Sequence, residues 1–143
     1  MPAGELAALV KDSLPPQPDE ERFVKTVDAL RSRYTTLHDF ALRGRPYFAD
    51  DFETEPGSLE KLNAPGCREL LRELGARIEA SPEFTEASVE AELRKLAEEK
   101  GVKAGLLING SRAALTGQLV GPSAFLVFLC IGRQRTIERL KNV

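Results

Sequence analysis

The sequence predicts an all-α fold, and three observations carry that prediction. Apolar residues recur at helical spacing nearly everywhere, as Phe23, Val27, Leu30 and Tyr34 do at i, i+4, i+7 and i+11. Strand signals are nearly absent. Caps and breakers flank the periodic runs, with Asp19, Thr36 and Thr85 ahead of them and Gly44, Gly101 and Gly132 behind. At 143 residues, 42% hydrophobic and 29% charged, the chain can bury a real core as one domain or two very small ones.

In chain order, residues 3–13 form a short, weakly amphipathic helix that stops at Pro15, Pro16 and Pro18, a linker-like stretch. Asp19 caps a helix with Glu20 and Glu21 in its first turn and Phe23, Val27 and Leu30 on its buried face. Thr36 and Asp39, three residues apart, cap a further helix that ends at Gly44 before Pro46. Residues 46–63 are acidic and read as an irregular connector anchored by Tyr47, Phe48 and Phe52, with a turn of helix around Leu59. Pro65 suits the first turn of a helix striped by Cys67, Leu70, Leu71, Leu74 and Ile78. Thr85 opens the next, with Val89, Leu93 and Leu96 inward.

Residues 103–117 read as a helix despite Gly105 and Gly110, each costing about 1 kcal/mol there, which implies close backbone packing. After the Gly121-Pro122 turn, residues 124–131 are apolar on every side and predict a buried helix. A last, basic helix carries Ile137 and Leu140 inward. The expected division is residues 1–62 and 63–143.

The total charge of −2 hides an asymmetry. Residues 101–143 carry Lys103, Arg112, Arg133, Arg135, Arg139 and Lys141 against Glu138, a local balance of +5. A second basic cluster joins Arg22, Lys25, Arg31, Arg33, Arg43 and Arg45, opposed by Asp28 and Asp39. Two basic zones in an acidic chain suit an oriented contact with a polyanion, although solvated helix faces give the same pattern.

Catalytic signatures are missing. His38 is the one histidine, and beside Leu37 and Phe40 it reads as structural rather than as a general base. Cys67 and Cys130 read as reduced, packed thiols, too few soft ligands for a zinc site. Asp50, Asp51, Glu53 and Glu55 lack the spacing and central glycine of a calcium loop. No phosphate-cradling glycine loop with Lys and Ser/Thr occurs. The nearly uncharged run 104–131 contains Arg112, glycines and a proline, so it does not span a membrane, and no signal peptide opens the chain. A cytoplasmic protein is expected.

The order of residues in the last third is distinctive: Lys103-Ala104-Gly105, Arg112-Ala113-Ala114-Leu115-Thr116-Gly117, Gly121-Pro122, Phe125, Gly132-Arg133 and Arg139-Leu140. This resembles the C-terminal anticodon-binding region of bacterial class I glutamyl-tRNA synthetases, with their Lys-x-Gly, Arg-x-Ala-Leu-Thr-Gly, Pro-led turn, Phe, Gly-Lys/Arg and closing Arg-Leu. Upstream, Arg33, Thr36, Leu37 and Tyr47-Phe48 look like the family's Arg-x-x-Thr-Leu helix and aromatic connector. Two positions depart from the pattern: Leu126 stands where the family has an acid, and Arg133-Gln134 where it has Lys-Glu.

The resemblance implies an all-α pair of helical subdomains that binds tRNA. Arg112, Gly121, Pro122 and Ala124 correspond to the contacts with the first two anticodon bases. Arg33, with Arg43 in reserve, corresponds to the arginine reading the third base, which separates glutamate-specific enzymes from those also charging glutamine tRNA. Lys103, Arg133 and Arg139 are expected to meet the tRNA backbone. The adenylate-forming domain, with its HIGH-type and KMSKS-type signatures, is absent from these residues, so ATP and Mg belong to the full ligase, whose catalytic domain is the implied upstream partner. The alternative is a helical protein-interaction module that keeps the fold without RNA binding.

Overall fold

The computed structural model describes residues 2–11, 14, 17, 19–34 and 36–143. Pro15, Pro16 and Pro18, expected to form a linker, and the side chain of His38 lie outside the described residues. Among the described residues the regular structure is helical throughout. The helices are α1 (Ala3–Lys11), α2 (Glu20–Leu30), α3 (Leu37–Leu42), α4 (Arg45–Phe48), α5 (Pro56–Leu62), α6 (Cys67–Ala80), α7 (Glu86–Lys100), α8 (Ala104–Thr116), α9 (Ala124–Ile131) and α10 (Arg133–Lys141).

Several ends are set by the expected residues. The Asp19 carboxylate accepts the Arg22 N–H at 3.0 Å to cap α2. Thr36 and Asp39 form a reciprocal capping box on α3, and Thr85 does the same for α7 with Ser88. Each satisfies first-turn N–H groups that have no partner within the helix. Gly101 and Gly117 close α7 and α8 at φ of 67° and 69°, a left-handed turn that costs glycine nothing sterically.

The chain forms two compact units, Met1–Phe52 and Glu53–Val143. In the first, α1 packs on α2 and α3, and the core gathers Val10, Phe23, Val27, Leu30, Phe40 and Phe48. Phe23 meets Phe48 edge-on at 5.2 Å between centroids, and Tyr34 meets Phe40 likewise at 5.1 Å.

In the second unit α8 is central, packing against all five of the other helices, α5, α6, α7, α9 and α10. Its Leu107 and Leu115 are fully buried, each worth about 1.5–3 kcal/mol of hydrophobic burial. Gly110 lies where a Cβ would stand 2.6 Å from the Cys67 Sγ, so its lack of a side chain allows α8 to approach α6. Gly105 has nothing within 4 Å of that position, so the close packing expected at both glycines occurs at Gly110 alone. Cys67 and Cys130 are buried free thiols, and burial pushes the Cys67 thiol up from its ordinary pKa.

Three expectations change. Residues 46–63 are less irregular than their acidity suggests: α4 carries Pro46 in its first turn and α5 begins at Pro56, because proline fixes φ near the helical value. α5 packs on α8, which puts the boundary after Phe52 rather than after residue 62. α9 is buried on one side only. Val127, Phe128 and Ile131 are covered, while Phe125, Leu126 and Leu129 are half-buried, since α7, α8 and α10 take up only part of the circumference of an eight-residue helix.

Candidate nucleic-acid interface

In the second unit, the expected base-reading residues fall at the corner where α8 gives way to α9. Arg112 sits about one turn before the end of α8 and is half-buried. Its main-chain carbonyl accepts the Thr116 hydroxyl at 2.9 Å, and the same hydroxyl oxygen accepts the Gln118 N–H at 3.2 Å. Gly117 then turns the chain. Its N–H bonds to the Ala113 carbonyl at 2.9 Å, and its own carbonyl accepts the Glu55 N–H at 2.9 Å. The turn continues through exposed Val120, half-buried Gly121 and buried Pro122, and Ala124 begins α9. Ser123 gives α9 no side-chain cap.

The corner is therefore fixed from three directions. Thr116 ties it locally, the Glu53–Glu55 strand of chain lies against Gly117, and α10 reaches it through Arg139, whose Nη1 donates to the Leu115 carbonyl at 2.6 Å. The strap at Glu53, Thr54 and Glu55 is invisible in the sequence. A glycine after a helix announces the left-handed turn, but nothing local announces which distant backbone packs on it.

The basic residues expected on the tRNA backbone are placed differently from one another. Lys103 is exposed at the start of α8. The 13 residues of α8 at about 1.5 Å each put it roughly 20 Å from the corner. Arg133 and Arg139 are both half-buried and turn donors inward. Arg133 Nη2 lies within hydrogen-bond distance of the main-chain oxygens of Ile78, Glu79 and Ser81, at 3.3, 3.2 and 2.5 Å. These carbonyls end α6, where a cation satisfies unpaired acceptors and complements the helix dipole. Arg139 plays a similar part at the end of α8.

In the first unit, Arg33 follows α2 and is exposed. Arg43, at the end of α3, is also exposed and lays its guanidinium over the Tyr34 ring at 5.1 Å from the centroid. Burial pushes the Tyr34 phenol up, while the Arg43 and Arg33 charges oppose that shift and Asp39 adds to it. Arg45, in the same basic cluster, is bound within the unit: Nη2 donates to both Asp51 carboxylate oxygens at 2.9 and 2.8 Å.

That pair gives a direct pH prediction. The hydrogen bonds from Arg45 hold the Asp51 carboxyl below the usual carboxylate range. A depressed folded-state pKa means the pair supports the fold above the unfolded-state value and loses that support as pH falls through the folded value. NMR titration is expected to show Asp51 moving up toward the ordinary range in Arg45→Ala. An unmoved Asp51 would mean that the pair does not persist in solution.

Residues 5–143 match the family described as "Anticodon binding domain". The chain belongs to this family. Its curated relatives are glutamate-tRNA ligases. Glutamate-tRNA ligase 2 of Koribacter versatilis is 49% identical over 129 residues, covering 90% of this chain and 27% of that protein. The glutamate-tRNA ligase of Desulfotalea psychrophila is 40% identical over 84% of this chain and 25% of its own length. The chain thus spans about a quarter of these relatives. A solved glutamate tRNA ligase from Elizabethkingia meningosepticum superimposes with a TM-score of 0.84 at 24% identity, over 99% of this chain and 29% of that one. The all-helical anticodon-binding fold implied by the Arg112–Gly117 pattern is the fold observed.

Among the described residues, no three His, Cys, Asp or Glu side chains converge into a group able to hold a metal. No helix among the described residues is long and apolar enough to cross a membrane.

Proposed function

We propose that this chain recognises the anticodon of glutamate tRNA, and in some settings glutamine tRNA, as part of a cytoplasmic glutamate-tRNA ligase. An anticodon loop presents splayed bases with open edges and a phosphate backbone around them. Arg112 offers a planar donor fork suited to a base edge, and it stands in the place of the family's base-contacting arginine. Gly121, Pro122 and Ala124 bring main chain close to the same bases, and Lys103 supplies charge to the phosphates. In the first unit, exposed Arg33 is the reader of the third base. Arg43, already stacked on Tyr34, is its reserve.

The observation that carries this reading is the Arg112–Gly117 segment, which holds the family pattern and is fixed at a helix end by Thr116, Glu55 and Arg139. Attachment of glutamate to tRNA, with ATP and magnesium, would require the ligase's catalytic domain as partner.

The test is equilibrium binding of the 143-residue chain to glutamate tRNA and to the same tRNA with its anticodon replaced, at several salt concentrations. Preference for the native anticodon is expected, with affinity falling as salt rises because phosphate contacts release counterions. Equal affinity for both tRNAs, or none for either, would favour a helical module that binds protein instead.

A further inference from the structure

We infer that Arg139 is a positioning residue for anticodon reading: its bond to the Leu115 carbonyl holds the last turn of α8 so that Arg112 and the following turn face the bases. The inference rests on the anticodon-reading proposal above. On sequence Arg139 reads as one more cation for the tRNA backbone, since it closes a basic helix. The structure gives it a specific internal acceptor. Leu115 is fully buried, and the last carbonyls of any α-helix lack a partner within the helix. The Arg139 Nη1 fills that need at 2.6 Å, a charge-assisted bond made in a part-buried setting and aligned with the negative end of the α8 dipole.

The link from this bond to the bases is short. Arg112 lies three residues before Leu115, and the Thr116 hydroxyl binds the Arg112 carbonyl, so Leu115, Thr116 and Arg112 form one hydrogen-bonded turn. The residue that follows the turn is held by the Glu55 N–H on the Gly117 carbonyl. Removing Arg139 leaves Thr116 and Glu55 in place but frees the α10 side of the turn. The loss falls on the orientation of Arg112 rather than on the attraction for phosphate.

The two roles separate by experiment. Binding of the full chain and of Arg139→Ala is measured for glutamate tRNA and for the same tRNA with a replaced anticodon, across a salt series, with thermal melts alongside. The positioning role predicts that the preference ratio falls by about fivefold or more, the lower end of a lost base contact. It also predicts that the slope of log affinity against log salt stays unchanged. A loss of folded protein alone scales both affinities equally and cannot move the ratio.

An unchanged ratio, with uniform weakening and a salt slope shallower by about 0.7–0.9, the signature of one lost phosphate contact, would overturn the inference. Should Arg139→Ala fail to fold, Arg139→Gln keeps an N–H donor without the charge. A retained salt slope with that variant supports positioning, and a shallower one overturns it. If the unmodified chain itself shows no anticodon preference, the anticodon-reading proposal fails first, an outcome distinct from failure of the Arg139 assignment.

Discussion

Gly117→Ala is expected to destabilise the Glu53–Val143 unit by roughly 2 to 5 kcal/mol, a large loss against the roughly 5–15 kcal/mol that holds a native domain folded. Two effects add. Gly117 holds φ at +69°, where an L side chain crowds its own carbonyl at a cost of about 1–2 kcal/mol. A Cβ there would also lie 2.6 Å from the Glu53 carbonyl oxygen and 2.8 Å from the Thr54 Cα. Both are backbone atoms, so no side-chain rotation relieves the clash, and overpacking of this kind costs about 1–3 kcal/mol.

Gly101→Ala is the matched control, because Gly101 holds φ of 67° with nothing within 4 Å of the added carbon. It should lose only the conformational part. Chemical denaturation of the two variants measures the difference, and equal losses would show that the 53–55 strap does not press on Gly117.

Arg112→Ala is expected to weaken binding to glutamate tRNA by about 1–3 kcal/mol, roughly 5- to 150-fold, while the fold is largely kept. Binding to a tRNA with an unrelated anticodon should barely change. Arg112→Lys should recover little of the loss, since a point charge on a flexible stem cannot reproduce a planar two-donor fork. Filter binding at fixed salt distinguishes these cases. Equal weakening toward every tRNA would assign Arg112 to a phosphate.

Much of this was legible from residue order. Asp19, Thr36 and Thr85 marked helix starts that the structure keeps, because a side-chain cap acts within three residues of itself and needs no distant partner. The stripes on α2 and α7 placed Phe23, Val27, Leu30, Val89, Leu93 and Leu96 inward, as observed. Long-range placement was harder to see. Around Leu59 the sequence marks a turn of helix, and the full extent of α5, Pro56–Leu62, goes with its packing on α8, which arrives from elsewhere in the chain. The apolar wrap of α9 suggested complete burial, yet coverage depends on how many neighbours arrive, which no local pattern states.

The candidate site divides along the same line. Arg112 and the Gly121-Pro122 turn are neighbours in sequence, so their shared corner follows from the chain itself. Arg133 and Arg139 look alike on sequence, as surface cations of a basic helix. Only the tertiary structure shows that each meets the carbonyl end of another helix, α6 for one and α8 for the other. Net charge identifies where cations are plentiful; it does not say which of them already have an acceptor.

The central claim is that the α8–α9 corner reads anticodon bases through Arg112. A double-mutant cycle tests it most directly: the unmodified chain and Arg112→Ala, each titrated with glutamate tRNA and with the same tRNA altered at a single anticodon base, at one salt concentration. A coupling energy of about 1–3 kcal/mol at one of the first two anticodon positions is the predicted result. Coupling near zero at every anticodon position, with Arg112→Ala acting equally on all the tRNAs, would contradict it.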